Sequence, residues 1–502
     1  MKAFVAPVLA LALFLAPPAQ GETVARTPAA QKKPRAGKPR PIDPRLFQVH
    51  EHTLANGLRV RLVENHDVPT ISYYTFFRVG SRNERPGITG IAHFFEHMMF
   101  NGAKKYGPKE FDRVLESAGG SSNAYTSNDV TAYYEDFAAD ALPTVIDLES
   151  DRMRDLAMAP EMLASEREVV KEERRLRVDN DVVGMLDEAL GTLVWRAHPY
   201  HWPVIGWMRD IDAITREDAL AFFRTYYAPN NAIVVAVGDL DPAKTLALIE
   251  KAYGDIPAGP KVPEVVDSEP EPNGERRAQV HYPSQAPSLM IGYRAPAARD
   301  GDTFVLDVIQ SVLSTGDSSR LTRRLVYAEE LATAVMVDFA WRIDPGAFVL
   351  YAELQPGGDP AKVEKALYEE LEKIAADGVT DIELQKAKNT LRAHFLHEIA
   401  TNNGRAHAIG NYETLLGDWR ESLRTLDRYG AVTNADVKRV AAKVFTPKNR
   451  SVVTLVPAGE EAPPAKKPAR RKAASAPRST KSEAKPRKRT PKKRAPATAR
   501  AR

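Results

Sequence analysis

The sequence predicts an α+β protein made of two homologous α/β-sandwich halves. An internal repeat and a strand-to-helix change of hydrophobic period carry that prediction. The segment 214–235 returns at 432–453: Thr215 matches Thr433, Asp218 matches Asp436, Tyr227 matches Phe445 and Pro229 matches Pro447. Asn231 then matches Asn449 and Val234-Val235 matches Val452-Val453, all at an offset of 218. In each copy a Thr caps a helix, the helix ends before a Pro turn, and a buried β-branched strand follows. A single core stops growing near ~250 to 300 residues. A chain of 502 residues, 43% hydrophobic, therefore has room for two such halves.

Along the chain, residues 1–21 read as a cleaved secretory signal. They run from Met1-Lys2 through an apolar stretch, Ala3 to Ala16, to small residues at Ala19 and Gly21. The stretch falls short of the ~18 to 20 residues that a spanning helix needs, so no transmembrane segment is expected after cleavage. Export follows, to the periplasm first and to the medium as the alternative. Residues 22–45, rich in Pro, Ala, Lys and Arg, are expected to be a flexible lead. The first folded half is assigned to 46–257, a Pro-rich linker to 258–280 and the second half to 281–457. Within the first half, Asn56-Gly57 precedes a strand ending near Asn65, Thr70 to Val79 reads as a second strand, and Ile88 to Phe100 changes to helical spacing.

The net charge of +4 conceals an asymmetry. Residues 464–502 hold 16 Lys and Arg against Glu483 alone, which leaves the rest of the chain net negative. The tail, 458–502, has almost nothing apolar to bury and is expected to be disordered, with anionic envelope polymers as its candidate partners. The absence of cysteine excludes thiolate metal sites and cysteine nucleophiles.

The chemistry concentrates at His93-Phe94-Phe95-Glu96-His97. On a helix, positions i, i+3 and i+4 project from one face. Two imidazoles so placed can grip one zinc, and the carboxylate beside them can take a proton from zinc-bound water. This is the inverted form of the His-Glu-x-x-His motif. A catalytic zinc takes three protein ligands, so one donor is still required. The helical, acid-rich run from Glu161 to Leu176 offers several, and on its own reads as a charged helix face. His394 and His397 with Glu398 also group on a helix, but they lie 301 residues from His93, off the repeat, and read as an amphipathic surface feature.

The motif followed by Glu166-Arg167-Glu168-Val169-Val170-Lys171-Glu172-Glu173 resembles the pitrilysin and insulysin family of zinc metallopeptidases, which includes the mitochondrial processing peptidase. The likeness covers residues 46–457. It implies two duplicated halves forming one side of a clamshell, one Zn2+ per chain held by His93, His97 and Glu173, and Glu96 as catalytic base. Glu166 is implied as the residue that orients a ligand histidine. Ser122, Asn123, Ala124 and Tyr125, behind Gly119-Gly120, are implied to be an edge strand that binds extended peptide. His198-Pro199-Tyr200 and Gly206 resemble a structural loop of the family. Family members also place an Arg and a Tyr in the second half, to hold the substrate carbonyl. Here those positions fall on Val326 and Thr333. The resemblance therefore implies a homologous partner subunit that carries the pair and completes a peptidase for unstructured peptides. The competing classes are a non-catalytic family member acting in assembly and a polyanion-binding envelope protein working through its tail.

Overall fold

The computed structural model describes residues 47–266 and 269–458. The expected signal and lead lie outside the described residues, as does the basic tail apart from Ala458. In chain order the elements are β1 (Val49–Thr53), β2 (Arg59–Glu64), β3 (Thr70–Phe77), α1 (Ile91–Met98), α2 (Glu110–Ser117), β4 (Ser121–Thr126), β5 (Thr131–Ala138) and α3 (Leu142–Asp155). There follow α4 (Pro160–Arg174), α5 (Val182–Val194), α6 (Met208–Ala213), α7 (Arg216–Tyr226), β6 (Ala232–Gly238), α8 (Pro242–Tyr253), β7 (Arg276–Tyr282), β8 (Ser288–Arg294) and α9 (Asp302–Ser314). The chain continues through β9 (Ala332–Phe339), β10 (Ala347–Leu354), α10 (Pro360–Asp377), α11 (Asp381–Glu398), α12 (Asn402–Leu416), α13 (Glu421–Ala431), α14 (Asn434–Val444) and β11 (Arg450–Pro457).

Two sheets form, in the orders β1-β2-β6-β3-β5-β4 and β7-β11-β8-β10-β9. Setting β1 aside, each strand of one sheet has a counterpart in the other. The senses agree as well: β2 with β6 and β7 with β11 are parallel, and the other pairs are antiparallel. The repeat is the local grammar of this duplication. Thr215 and Thr433 each accept from the amide three residues on and close a capping box with Asp218 and Asp436. Asn231 donates to the carbonyls of Tyr226 and Arg78, and Asn449 does the same to Val444 and Arg294. Each Asn thus ties the end of a helix to the strand beside β6 or β11. Among its described residues the expected linker holds no helix or strand until Arg276, where β7 begins and pairs with β11.

The halves exchange helices. One face of the first sheet packs on α1, α3, α7 and α8 of its own half, around Tyr73, Phe94, Phe95 and Tyr227. Its other face is covered by Phe395, Ala406 and Ile409 from the second half, against Tyr74, Phe76 and Val235. In return, Leu186, Leu190 and Val194 of α5 lie on Met290, Val453 and Leu455 of the second sheet. Gly410 makes the first contact possible, since a Cβ there would lie 1.9 Å from the Phe76 ring. Burying apolar faces across the halves is worth ~25 cal/mol per Å2, so each sheet is stabilised by the other half's helix. Among the described residues no helix is long and apolar enough to cross a membrane.

Candidate metal centre

Helix α1 is only eight residues long and carries His93, Glu96 and His97. Its apolar positions, Ile91, Phe94, Phe95 and Met98, are fully buried and fix the rotation of the helix. Its N-cap, Gly90, sits in the left-handed region at φ 89°, with no capping side chain. A Cβ there would meet the Ile205 carbonyl at 2.3 Å, so the loop ending at Gly206 packs directly on the helix start. The missing cap comes from Glu84, six residues upstream. Its buried carboxylate accepts from the Gly90 amide (2.8 Å) and the Ala92 amide (2.9 Å). Burial holds that carboxyl well above its usual range, although the two amides favour the charged form.

Helix α4 runs alongside α1 and brings up the third group. Nε2 of His97 lies 3.0 Å, and Nε2 of His93 3.7 Å, from Oε2 of Glu173. One donor atom from each of the three residues lies within 4.8 Å of the others, and no other such group of three occurs among the described residues. Zinc bonds of ~2.0 to 2.2 Å in tetrahedral array require donors a little over 3 Å apart, and the two imidazoles and one carboxylate fit that requirement. The second nitrogen of His97, Nδ1, is 2.8 Å from Oε1 of Glu166, whose Oε2 accepts from Asn101 Nδ2 at 2.7 Å. Such a carboxylate-histidine pair sets the ring orientation and the tautomer. The other oxygen of Glu173, Oε1, lies 3.0 Å from Nε of Arg177. Glu96 is buried on the same face of α1 and makes no side-chain hydrogen bond among the described residues.

The electrostatics follow from these contacts. Burial pushes His93 down, against the pull of Glu96. For His97 burial also opposes the charge, but the hydrogen bonds from Glu166 and Glu173 outweigh it and raise the imidazole to about 10. Burial would likewise raise Glu173, yet the His97 hydrogen bond and the charges of His93, His97 and Arg177 bring it down to about 2. A divalent cation taken up here would therefore compete with a proton for the same donors.

Strand β4, with Ser122, Asn123, Ala124 and Tyr125, forms the outer edge of the first sheet and packs against α1. Ser122, Asn123 and Tyr125 are partly exposed, whereas the Ala124 side chain is buried. Oδ1 of Asn123 accepts from the Ala124 amide at 2.8 Å. Tyr200 and His198 are structural: Tyr200 donates to Asp129 (2.6 Å), and Nε2 of His198 meets Asp344 (3.0 Å), which joins the two halves. His394 and His397 are exposed on α11. Val326 is half-buried, and the Thr333 hydroxyl donates to the Glu353 carbonyl at 3.3 Å, within the second sheet.

Sequence reasoning missed Glu84, Asn101 and Arg177. Glu84 lies too far from Gly90 for any capping pattern, and Asn101 follows the helix it serves. Arg177 sits in a π-turn, Arg175–Asp179, that prolongs α4. A second repeat offset could have drawn attention to that turn. Asp181 and Thr401 cap α5 and α12 by accepting from Gly184 and Gly404 three residues on, at an offset of 220. Each of these glycines packs on the backbone that precedes its helix.

The family model for Insulinase (Peptidase family M16) matches residues 59–206, and that for the Peptidase M16 inactive domain matches 213–391. The zinc protease PqqE of Helicobacter pylori is 32% identical over 81% of this chain and 92% of its own length. A probable mitochondrial-processing peptidase subunit beta of Arabidopsis thaliana is 25% identical over 81% of this chain and 78% of its own. A crystal structure of a protease from Helicobacter pylori superposes with a TM-score of 0.79 at 31% identity, covering 81% of this chain and 99% of that one. With both sheets and the exchanged helices accounted for, these likenesses place the chain in the insulinase family, peptidase family M16.

Proposed function

We propose that the chain is a zinc-dependent endopeptidase acting on unstructured peptides or peptide segments in the bacterial cell envelope. The observation that carries this reading is the convergence of His93, His97 and Glu173 beside a buried Glu96. His93, His97 and Glu173 hold the metal. When bound, zinc acidifies water and polarises the scissile carbonyl. Glu166 keeps His97 oriented, which would leave Nε2 free to hold the metal, with Asn101 bracing the carboxylate. Glu96, engaged in no other hydrogen bond among the described residues, takes the proton of the attacking water. It passes that proton to the amide nitrogen as the C–N bond breaks, and the products are a carboxylic acid and an amine. The edge of β4 aligns substrate by main-chain hydrogen bonds through residues 122–125, which tolerates varied sequence. For this to happen Asn123 must release the Ala124 amide.

Thr333 and Val326 offer neither a guanidinium nor a phenol, so a homologous partner subunit supplies the Arg and Tyr that complete the clamshell. Purified protein should bind about one zinc per chain, read by metal analysis after dialysis. His97→Ala or Glu173→Gln should lose most of it. Full zinc in both variants would move the site elsewhere, with the His394 cluster first in line.

A further inference from the structure

We infer that Arg177 gives this chain a cationic donor of its own at the metal centre, where it holds the substrate carbonyl oxygen and the negative charge that develops on it. The inference rests on the zinc-peptidase reading and deepens it.

Nε of Arg177 lies 3.0 Å from Oε1 of Glu173, while Oε2 of the same carboxylate faces His97. A guanidinium carries five N–H groups in a rigid planar fork. Among the described residues the other four of Arg177 have no hydrogen-bond partner, and its side chain is 37% exposed, so a substrate can reach it.

The position is built. The chain leaves α4 through the π-turn that contains Arg177, a device common at functional sites. Gly184 then presses on that turn: a Cβ on residue 184 would lie 2.0 Å from the Arg177 carbonyl oxygen. With its backbone pinned by α5 and its Nε tied to Glu173, Arg177 has little freedom to turn its fork away.

The chemistry supplies the need. Hydrolysis puts negative charge on the carbonyl oxygen in a place already lined by Glu96, Glu166 and Glu173. Donors fixed in advance where charge develops are commonly the largest single contribution to rate. Neither Val326 nor Thr333 can provide one. Arg177 therefore sustains the basal activity of the isolated chain, and a partner subunit adds to it.

The test uses full-length zinc-loaded protein with Arg177→Ala and Arg177→Lys, and Arg175→Ala as a control, because among the described residues Arg175 pairs with exposed Glu172. Three quantities are measured: zinc affinity by chelator competition, binding of a phosphinic peptide that mimics the tetrahedral intermediate, and turnover of a quenched peptide. At saturating zinc, Arg177→Ala should lower kcat by about 100-fold or more, the usual effect of losing one such donor. KM should change much less, and phosphinic-peptide affinity should fall in step with kcat/KM. Millimolar guanidinium should restore part of the loss, and Arg177→Lys should lie between wild type and Ala. Turnover and phosphinic-peptide binding that return to wild type once zinc is saturating would reduce Arg177 to a positioning residue for Glu173 and overturn the inference. Failure of the wild-type protein to bind zinc would overturn the peptidase reading itself, and the inference with it.

Discussion

Replacing Glu84 by Ala should loosen the metal centre from a residue that touches no ligand. The substitution strands the amides of Gly90 and Ala92, both now bonded to the Glu84 carboxylate at 2.8 and 2.9 Å, at the buried start of a two-turn helix. Each buried N–H left without a partner costs about 1 to 3 kcal/mol, so with two of them the start of α1 loses about 2 to 6 kcal/mol. Part of this is returned, because the variant no longer keeps a carboxylate out of water. His93 lies three residues beyond the cap and His97 seven, so a frayed first turn is felt directly in metal binding. If about 2 kcal/mol of the loss falls on α1 in its metal-holding geometry, zinc affinity drops by about 30-fold. Competition against a chelator of known affinity reads that number, and thermal unfolding of the same sample reads the global cost. Glu84→Gln, which keeps the shape and one acceptor, should fall between the two. Unchanged zinc affinity in Glu84→Ala would show that packing of Ile91, Phe94 and Phe95 alone holds the helix, and would refute the capping argument.

Asp307 is buried, accepts from Tyr429 (2.7 Å) and Trp341, and is raised from its ordinary value to about 7 by burial, with those donors opposing. Its folded form binds a proton more tightly than its unfolded form. Its contribution is therefore complete below about pH 4 and is lost as pH rises toward 7, at most a few kcal/mol. Asp307→Asn should accordingly gain in melting temperature relative to wild type between pH 5 and 8, and an unchanged difference across that range would contradict the assignment. Gly410→Ala should lower stability by about 1 to 3 kcal/mol in denaturant unfolding, because its Cβ would enter the Phe76 ring; a neutral result would mean that α12 can lift from the first sheet at little cost. The basic segment beyond Ala458 should bind heparin with strong salt dependence, and equal retention of a chain ending at Ala458 would dismiss a polyanion role for it.

Much of this was legible from residue order. The repeat at 218 marks helix-to-strand joints that are built alike in the two halves, down to the amide bonds of Asn231 and Asn449. The sheet orders then show that the duplication extends well beyond the matched segment. The motif on α1 announced itself because two imidazoles and a carboxylate are costly in an apolar helix without a task. Glu173 needed the family likeness, since nothing in an acid-rich helix distinguishes one Glu from the next until α1 lies beside it. The helix spacing extended from Ile88 to Phe100, yet α1 is only Ile91–Met98. Tight packing of Gly90 on Ile205 delays its start, and the chain turns at Phe100. The exchange of α5 and α12 could not be read from hydrophobic period, which says that a face is covered but not by which half. Glu84 and Arg177 act across gaps that only the folded chain closes.

The account turns on separating ligands from base, and one measurement does so most directly: zinc content and peptide turnover of Glu96→Gln, made side by side with His97→Ala. The account predicts that Glu96→Gln keeps about one zinc per chain while turnover of a quenched peptide falls by about 100-fold or more, the usual worth of a positioned proton acceptor. His97→Ala should lose both. Loss of zinc from Glu96→Gln to the same extent as from His97→Ala, or cleavage by Glu96→Gln at the wild-type rate, would contradict it.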